Sequence, residues 1–184
     1  MLRLPVLGLA LALAVGLPSF RRDAAAAQAT DAQAKAAWIL NFARYVHWPS
    51  NTFAATNTPI RVGVLGKDPI LQELSVTLKG QRIDGHGFVV KAVVSDPEVL
   101  ACQILFISSS ERRRLRELSE KLKAFGVLTV GDTDEFLDQG GVINFVLREK
   151  ALRFDINVTT AQAARIKLDA KLLHVARTVR GRYD

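Results

Sequence analysis

Two hydrophobic rhythms alternate along the chain. Between residues 60 and 130, short apolar runs bounded by glycine or polar clusters take turns with stretches whose apolar residues recur every three or four positions. IRVGVLG (60–66), FVVKAVV (88–94), QILFIS (103–108) and VLTV (127–130) read as strands. QILFIS is apolar throughout, the pattern of a strand covered on both faces. PILQELSVTLKG (69–80) opens on proline and closes on glycine, the asymmetry of a helix. SERRRLRELSEKLKAFG (110–126) places Leu115, Leu118, Leu122 and Phe125 on one helical face, and Ser108 and Glu111 stand at capping-box spacing before it. TDEFLDQG (133–140) reads as a short helix.

The flanking segments follow other patterns. Trp38, Ile39, Phe42, Tyr45 and Val46 recur at i, i+1, i+4, i+7 and i+8, which predicts a helix over 31–46 with one buried face. Trp48-Pro49 ends it, because a residue before proline avoids the helical region. The turn-rich PSNTFAATNTP follows. Downstream, GVINFVLRE and ALRFDINV are β-rich and joined tightly at Glu149-Lys150, as in an antiparallel hairpin. A last helical segment begins after Thr159, breaks around 167–169 and resumes as AKLLHVARTVR. Strand–helix alternation implies parallel strand pairs joined by crossover helices. The expected fold is therefore α/β: a single domain with a mixed, mostly parallel sheet, helices on its faces and an antiparallel C-terminal hairpin.

The N-terminus changes the compartment. Arg3 precedes an apolar run from Leu4 to Leu17, about 14 residues, which is short of the roughly 20 needed to span a bilayer. It suits the core of a signal peptide over 1–27, with cleavage near Ala27–Gln28 after small residues. An uncleaved N-terminal anchor is the alternative, since Arg21-Arg22 lies between the run and that point. The domain proper is then 28–184, exported to the periplasm, and its net charge falls from +7 to +5. Export argues against the nucleic-acid partner that a basic protein otherwise invites. The charge then favours an anionic membrane surface or an acidic partner. Cys102 is the single cysteine, so no intrachain disulfide can form, and its place in CQILFIS marks it as a small buried hydrophobe.

Bond-making chemistry has little footing. His47, His86 and His174 lie on different elements without ligand spacing, so no metal is expected. Ser108–Ser110 lacks the G-x-S-x-G elbow of a nucleophile, and helix capping explains it. Asp132 and Asp134 sit at an expected helix start, where carboxylates are favourable. GVLGKDP has neither a dinucleotide fingerprint nor a P-loop, so no cofactor is expected. Arg113–Glu117 and Arg116–Glu120 stand at i,i+4, which reads ERRRLRE as a solvated face. Its other reading is an electrostatic contact through Arg112, Arg113 and Arg116 with an acidic partner. Asn41, Arg44 and Trp48, at i, i+3 and i+7, form a second candidate partner or dimer stripe. The expected parallel strands end at Lys67-Asp68, Ser108-Ser109 and Asp132-Thr133, the crevice where α/β sheets favour ligands.

With these elements in place the chain resembles the YfiR family of periplasmic repressors. The resemblance runs from about Lys35 to Ala176 and is carried by KAAWILNFARYVHWP, VGVLGKDP, CQILFISSSERRRL, VLTVGDTDEF, GGVINFV, RFDIN and AKLLHVAR in that order. It implies a non-enzymatic regulator that dimerises and holds an inner-membrane diguanylate cyclase inactive through its periplasmic sensing domain. An outer-membrane lipoprotein that sequesters the repressor would release the cyclase, raising cyclic-di-GMP and favouring biofilm. Relatives serving histidine kinases make the sensor's type open. Family members often carry paired cysteines, and the lone Cys102 departs from that pattern. A periplasmic small-molecule binding protein, with a deep pocket at the strand ends, is the alternative function. An exported hydrolase is a further rival, for which no nucleophile–base arrangement is present.

Overall fold

A computed structural model describes residues 19–149 and 151–182, with side chains described from Ala27 onward. The expected leader over 1–27 lies largely outside the described residues. The elements, in chain order, are helix α1 (Ser19–Tyr45), strand β1 (Val46–His47), β2 (Ile60–Leu65), α2 (Ile70–Thr77), β3 (Arg82–Ile83), β4 (His86–Val93), α3 (Asp96–Leu100) and β5 (Ile104–Ile107). A single 3-10 turn (Ser109–Glu111) then leads into α4 (Arg112–Ala124). There follow β6 (Leu128–Gly131), β7 (Ile143–Arg148), β8 (Ala151–Asn157), α5 (Val158–Ala163), β9 (Lys167–Leu168), α6 (Ala170–Val175) and β10 (Thr178–Arg180). Among the described residues no helix is long and apolar enough to cross a membrane.

Eight strands form one sheet in the order β10-β8-β7-β6-β5-β2-β4-β3, as the α/β expectation requires. β4, β2, β5, β6 and β7 run parallel, and β7–β8 is the antiparallel hairpin. Alternation sorts the central strands between two cores. Val62, Val64, Ile104, Phe106, Leu128 and Val130 face α1 and α2, while Leu65, Leu105 and Ile107 face α3 and α4. Every residue of β5 is buried, which accounts for its unbroken apolar run. Each large side chain so enclosed contributes about 1.5–3 kcal/mol. On the first face Ile39 and Phe42 are fully buried, and Trp38 packs edge-on against Phe154 at 4.9 Å. The aromatic residues of the first helix are thus core, as their spacing predicts, with Trp38 and Tyr45 partly exposed at the margin.

Four expectations are corrected. Residues 133–140 form successive turns instead of a helix. Glu135 adopts a left-handed φ of 64°, and the Phe136 ring lies where side chains on Gly131 and Gly141 would stand. Burying that ring requires the chain to fold over it, which a continuous helix does not allow. The last helix stops at Val175; residues 178–180, expected to be helical, become β10, which adds in parallel to β8 beyond the antiparallel hairpin. Asp155, almost fully buried, explains this. Its carboxylate takes both Arg177 Nε, at 2.8 Å, and Nη2, and the fork draws the chain onto the sheet. The reciprocal capping box forms at Ser95 and Glu98, at the start of α3, which the sequence reading passed over; Ser108 caps its turn alone. The pairs Arg113–Glu117 and Arg116–Glu120 do not form, and Glu120 bonds Lys123 at 2.7 Å. Arginine preceding glutamate is the weaker order against the helix dipole.

Gly141→Ala is expected to destabilise the fold by about 1–3 kcal/mol through overpacking against Phe136. Urea denaturation checks this, and Gly87→Ala, at a glycine with open space beside it and no positive φ, serves as the control.

Candidate functional site

Three parallel strands end side by side, because Leu65 pairs with Ile107 and Ile107 with Gly131. The loops that leave them are stitched by serine. Ser108 is buried, and its Oγ donates to the Lys67 carbonyl at 3.2 Å and accepts from the Ser110 amide at 3.5 Å. Gly66, at φ +92°, allows the close approach: a Cβ there would stand 2.6 Å from Ser110 Oγ. Lys67 and Ser109 are exposed at this rim. Asp68 accepts from the Ile70 amide at 2.9 Å and so caps α2.

A buried ammonium lies beneath the same strand ends. Lys35 Nζ is 2.5 Å from Asp31 and 2.7 Å from Asp132. Asp132 therefore ties β6 to α1, instead of starting a helix as its position in the sequence implied. Burial alone lowers the Lys35 pKa, but the bonds to Asp132 and Asp31 outweigh it and hold the pKa above its ordinary value. Asp68 is moved up, chiefly by burial, with the Asp132 and Asp31 charges adding to that rise. The sequence reading missed Lys35. The signal was there: it stands four residues before Ile39 and seven before Phe42, on the buried face, with Asp31 one turn upstream.

Beside this cluster opens a cleft of about 870 Å³. One wall is α4, with Arg112, Arg113, Arg116 and Glu117; the other is Asp132, Thr133, Asp134, Glu135 and Gln139. The arginine patch and the Asp132–Thr133 end of the strand crevice, separate in the sequence, thus meet across one space. Arg112, Arg113, Arg116, Glu117, Asp134 and Glu135 are all exposed, so the cleft is open and charged. It is neither the deep, preformed pocket expected of a small-molecule binding protein nor the shallow apolar patch with a polar rim expected of a regulator. Lys67, Asp68, Ser108 and Ser109 do not line it.

The other proposed stripe comes apart. Arg44 donates to Asn41 at 3.4 Å on the flank of α1. Because α1 ends at Tyr45, Trp48 leaves the helical spacing and packs edge-on against Phe53 at 6.0 Å, with Phe53 stacked on His86 at 4.2 Å. Trp48 Nε1 is buried without a hydrogen-bond partner among the described residues. Among the described residues no group of three or more His, Cys, Asp or Glu is placed to hold a metal ion. Cys102 is buried, its thiol bonds the Glu98 carbonyl at 3.3 Å, and burial pushes its pKa up to about 11.

These features define a three-layer α/β domain with a charged cleft at the ends of its parallel strands. The chain belongs to the YfiR/HmsC-like family, whose model matches residues 32–177. That range takes in the Lys35–Asp132 link, the cleft and the Asp155–Arg177 fork. No curated protein matches the chain. Among solved structures it is similar to a conserved domain protein from Vibrio cholerae O1 biovar El Tor, at 10% identity and a TM-score of 0.49, over 66% of this chain and 55% of that one. It is also similar to an ABC domain in complex with L-Trp from Streptococcus pneumoniae, at 12% identity and a TM-score of 0.48, over 65% of this chain and 54% of that one. The chain thus spans little more than half the length of these solved chains.

Lys35→Ala leaves Asp132 without its cation. It is expected to cost roughly 2 kcal/mol, less than the ~3–5 of a fully buried pair because Asp132 and Asp31 are partly exposed. Thermal denaturation measures it. For Asp68 the folded pKa lies above the ordinary 3.8, so the folded state binds the proton more tightly. That contribution to stability is fully present below 3.8 and is lost as pH rises through the raised value. Asp68→Asn should flatten stability across that window while keeping the cap on Ile70. In alkylation at pH 8, native Cys102 should react at least about a hundredfold more slowly than in the urea-unfolded chain.

Proposed function

We propose that this protein is a periplasmic regulator that represses an inner-membrane signalling protein by binding its sensing domain. The sensor is a diguanylate cyclase, so the protein lowers cyclic-di-GMP and restrains biofilm formation. The observation that carries this reading is the family match over 32–177, which covers nearly all of the described fold. Repression follows if the protein binds the inactive conformation of the sensor more tightly than the active one; equal affinity for both would shift nothing. On this reading residues 1–27 are a cleaved signal peptide, the protein acts as a homodimer, and an outer-membrane lipoprotein competes for it. A histidine kinase in place of the cyclase is the variant that the same experiment distinguishes.

Small-molecule binding at the strand ends stays a second reading, because the 870 Å³ cleft lies at that place. Its open, charged walls fit a protein segment better than an enclosed metabolite.

Deleting the gene should raise cellular cyclic-di-GMP several-fold and increase biofilm, and the wild-type gene should reverse both. A tagged, functional copy should co-purify from solubilised membranes with a diguanylate cyclase. Unchanged cyclic-di-GMP together with recovery of a histidine kinase would move the assignment to the kinase.

A further inference from the structure

The charges of the strand-end cleft are unbalanced wall by wall, and this identifies what it is built to meet. Arg112, Arg113 and Arg116 fall within five residues of α4, and none of their guanidinium groups makes an ion pair or hydrogen bond among the described residues. The fourth arginine of the run behaves differently: Arg114 turns the other way and bonds Asp96 at 3.1 Å. The opposing carboxylates are equally independent. Asp134 has no side-chain partner among the described residues, and Glu135 has only a long contact from Gln139 at 3.4 Å; Glu117, which shares α4 with the arginines, is likewise unpaired among the described residues. The walls therefore hold opposite charges apart across the cleft instead of closing it. Holding them there is enforced by the fold, because the Phe136 ring anchors the acidic wall between Gly131 and Gly141 while Leu115 and Leu118 anchor α4.

We propose that the cleft receives a dipolar segment of the partner protein. A carboxylate side chain of that segment meets Arg112, Arg113 and Arg116, and a lysine or arginine about one helical turn away meets Asp134 and Glu135. This deepens the regulator reading and rests on it. A purely acidic segment would be attracted by α4 but repelled by the opposite wall, and a purely basic one the reverse, so the arrangement selects for both signs in fixed order. Guanidinium forks suit carboxylates. The exposed lining leaves room for a polypeptide to enter from the side and does not enclose a free metabolite. Asp132 lines the same cleft and bonds Lys35, so the acidic wall is joined to α1.

The test is photo-crosslinking in cells that express the full chain. A benzoylphenylalanine replaces Arg113, Glu135 or, as a control on α2, the exposed Val76. The expected result is a crosslink from positions 113 and 135 to one segment of a membrane signalling protein that carries an acid and a base within about four residues. Arg112→Glu with Arg116→Glu should cut the yield from position 135 at least tenfold, and exchanging the acid and base of the partner segment should restore it once Asp134→Lys is added. Thermal melting confirms that the variants fold, and Arg112→Gln with Arg116→Gln replaces any that do not. Crosslinks to that membrane protein from Val76 alone, or from the cleft to a segment of one charge sign, would overturn the inference and leave the regulator reading standing. No crosslink to a membrane protein from any of the positions would overturn both.

Discussion

Two-sided burial of the central strands is the constraint on which the rest of the molecule depends. β2, β5 and β6 are short, yet nearly every one of their side chains is removed from water. A strand buried on both faces must be covered twice, so α1 and α2 close one side and α3 and α4 the other. Glycine appears where cover and strand come closest. A Cβ on Gly63 would press on Cys102 Sγ at 2.6 Å, which makes the lone cysteine a packing element of the second core. Its raised pKa follows from the same enclosure.

Such an interior leaves no room for unpaired charge, and charge is accordingly pushed to the ends of the strands. There the first helix meets the sheet through Lys35 and Asp132, and the cleft walls rise beside that contact. Structural and recognition groups are neighbours for this reason. The last apolar layer of the core, represented by Phe136 and Leu115, also fixes the backbone from which Glu135 and Arg116 project. In the regulator reading, binding at such a rim needs little rearrangement of the protein itself, which favours affinity.

The sequence announces elements better than it announces ends. Short apolar runs identified β2, β5 and β6, and the Trp38–Phe42–Val46 stripe identified the buried face of α1, because both patterns arise directly from burial. The turn at 133–140 was misread because TDEFLDQG has helical composition; only the demand of the Phe136 ring for two flanking glycines excludes a helix. β10 was misread because its placement is set by Asp155, more than 20 residues upstream, and no local spacing reports that partner. The cleft was half legible. Its two walls were each noticed, at ERRRLRE and at Asp132-Thr133, but their meeting depends on the adjacency of β5 and β6. Lys35 escaped because lysine is expected outside, although its helical position placed it inside.

The outermost stitch has a consequence in time. Trp38, near the start of the fold, rests on Phe154, and the strand carrying Phe154 is flanked by β10, whose approach is secured by Arg177. Early and late parts of the polypeptide are thus mutually dependent, with contacts that span most of its length. A chain emerging from a ribosome or a translocation channel can set its first helix against α2 early, but Trp38 meets Phe154 only when the final quarter arrives, so the first core is completed late in assembly.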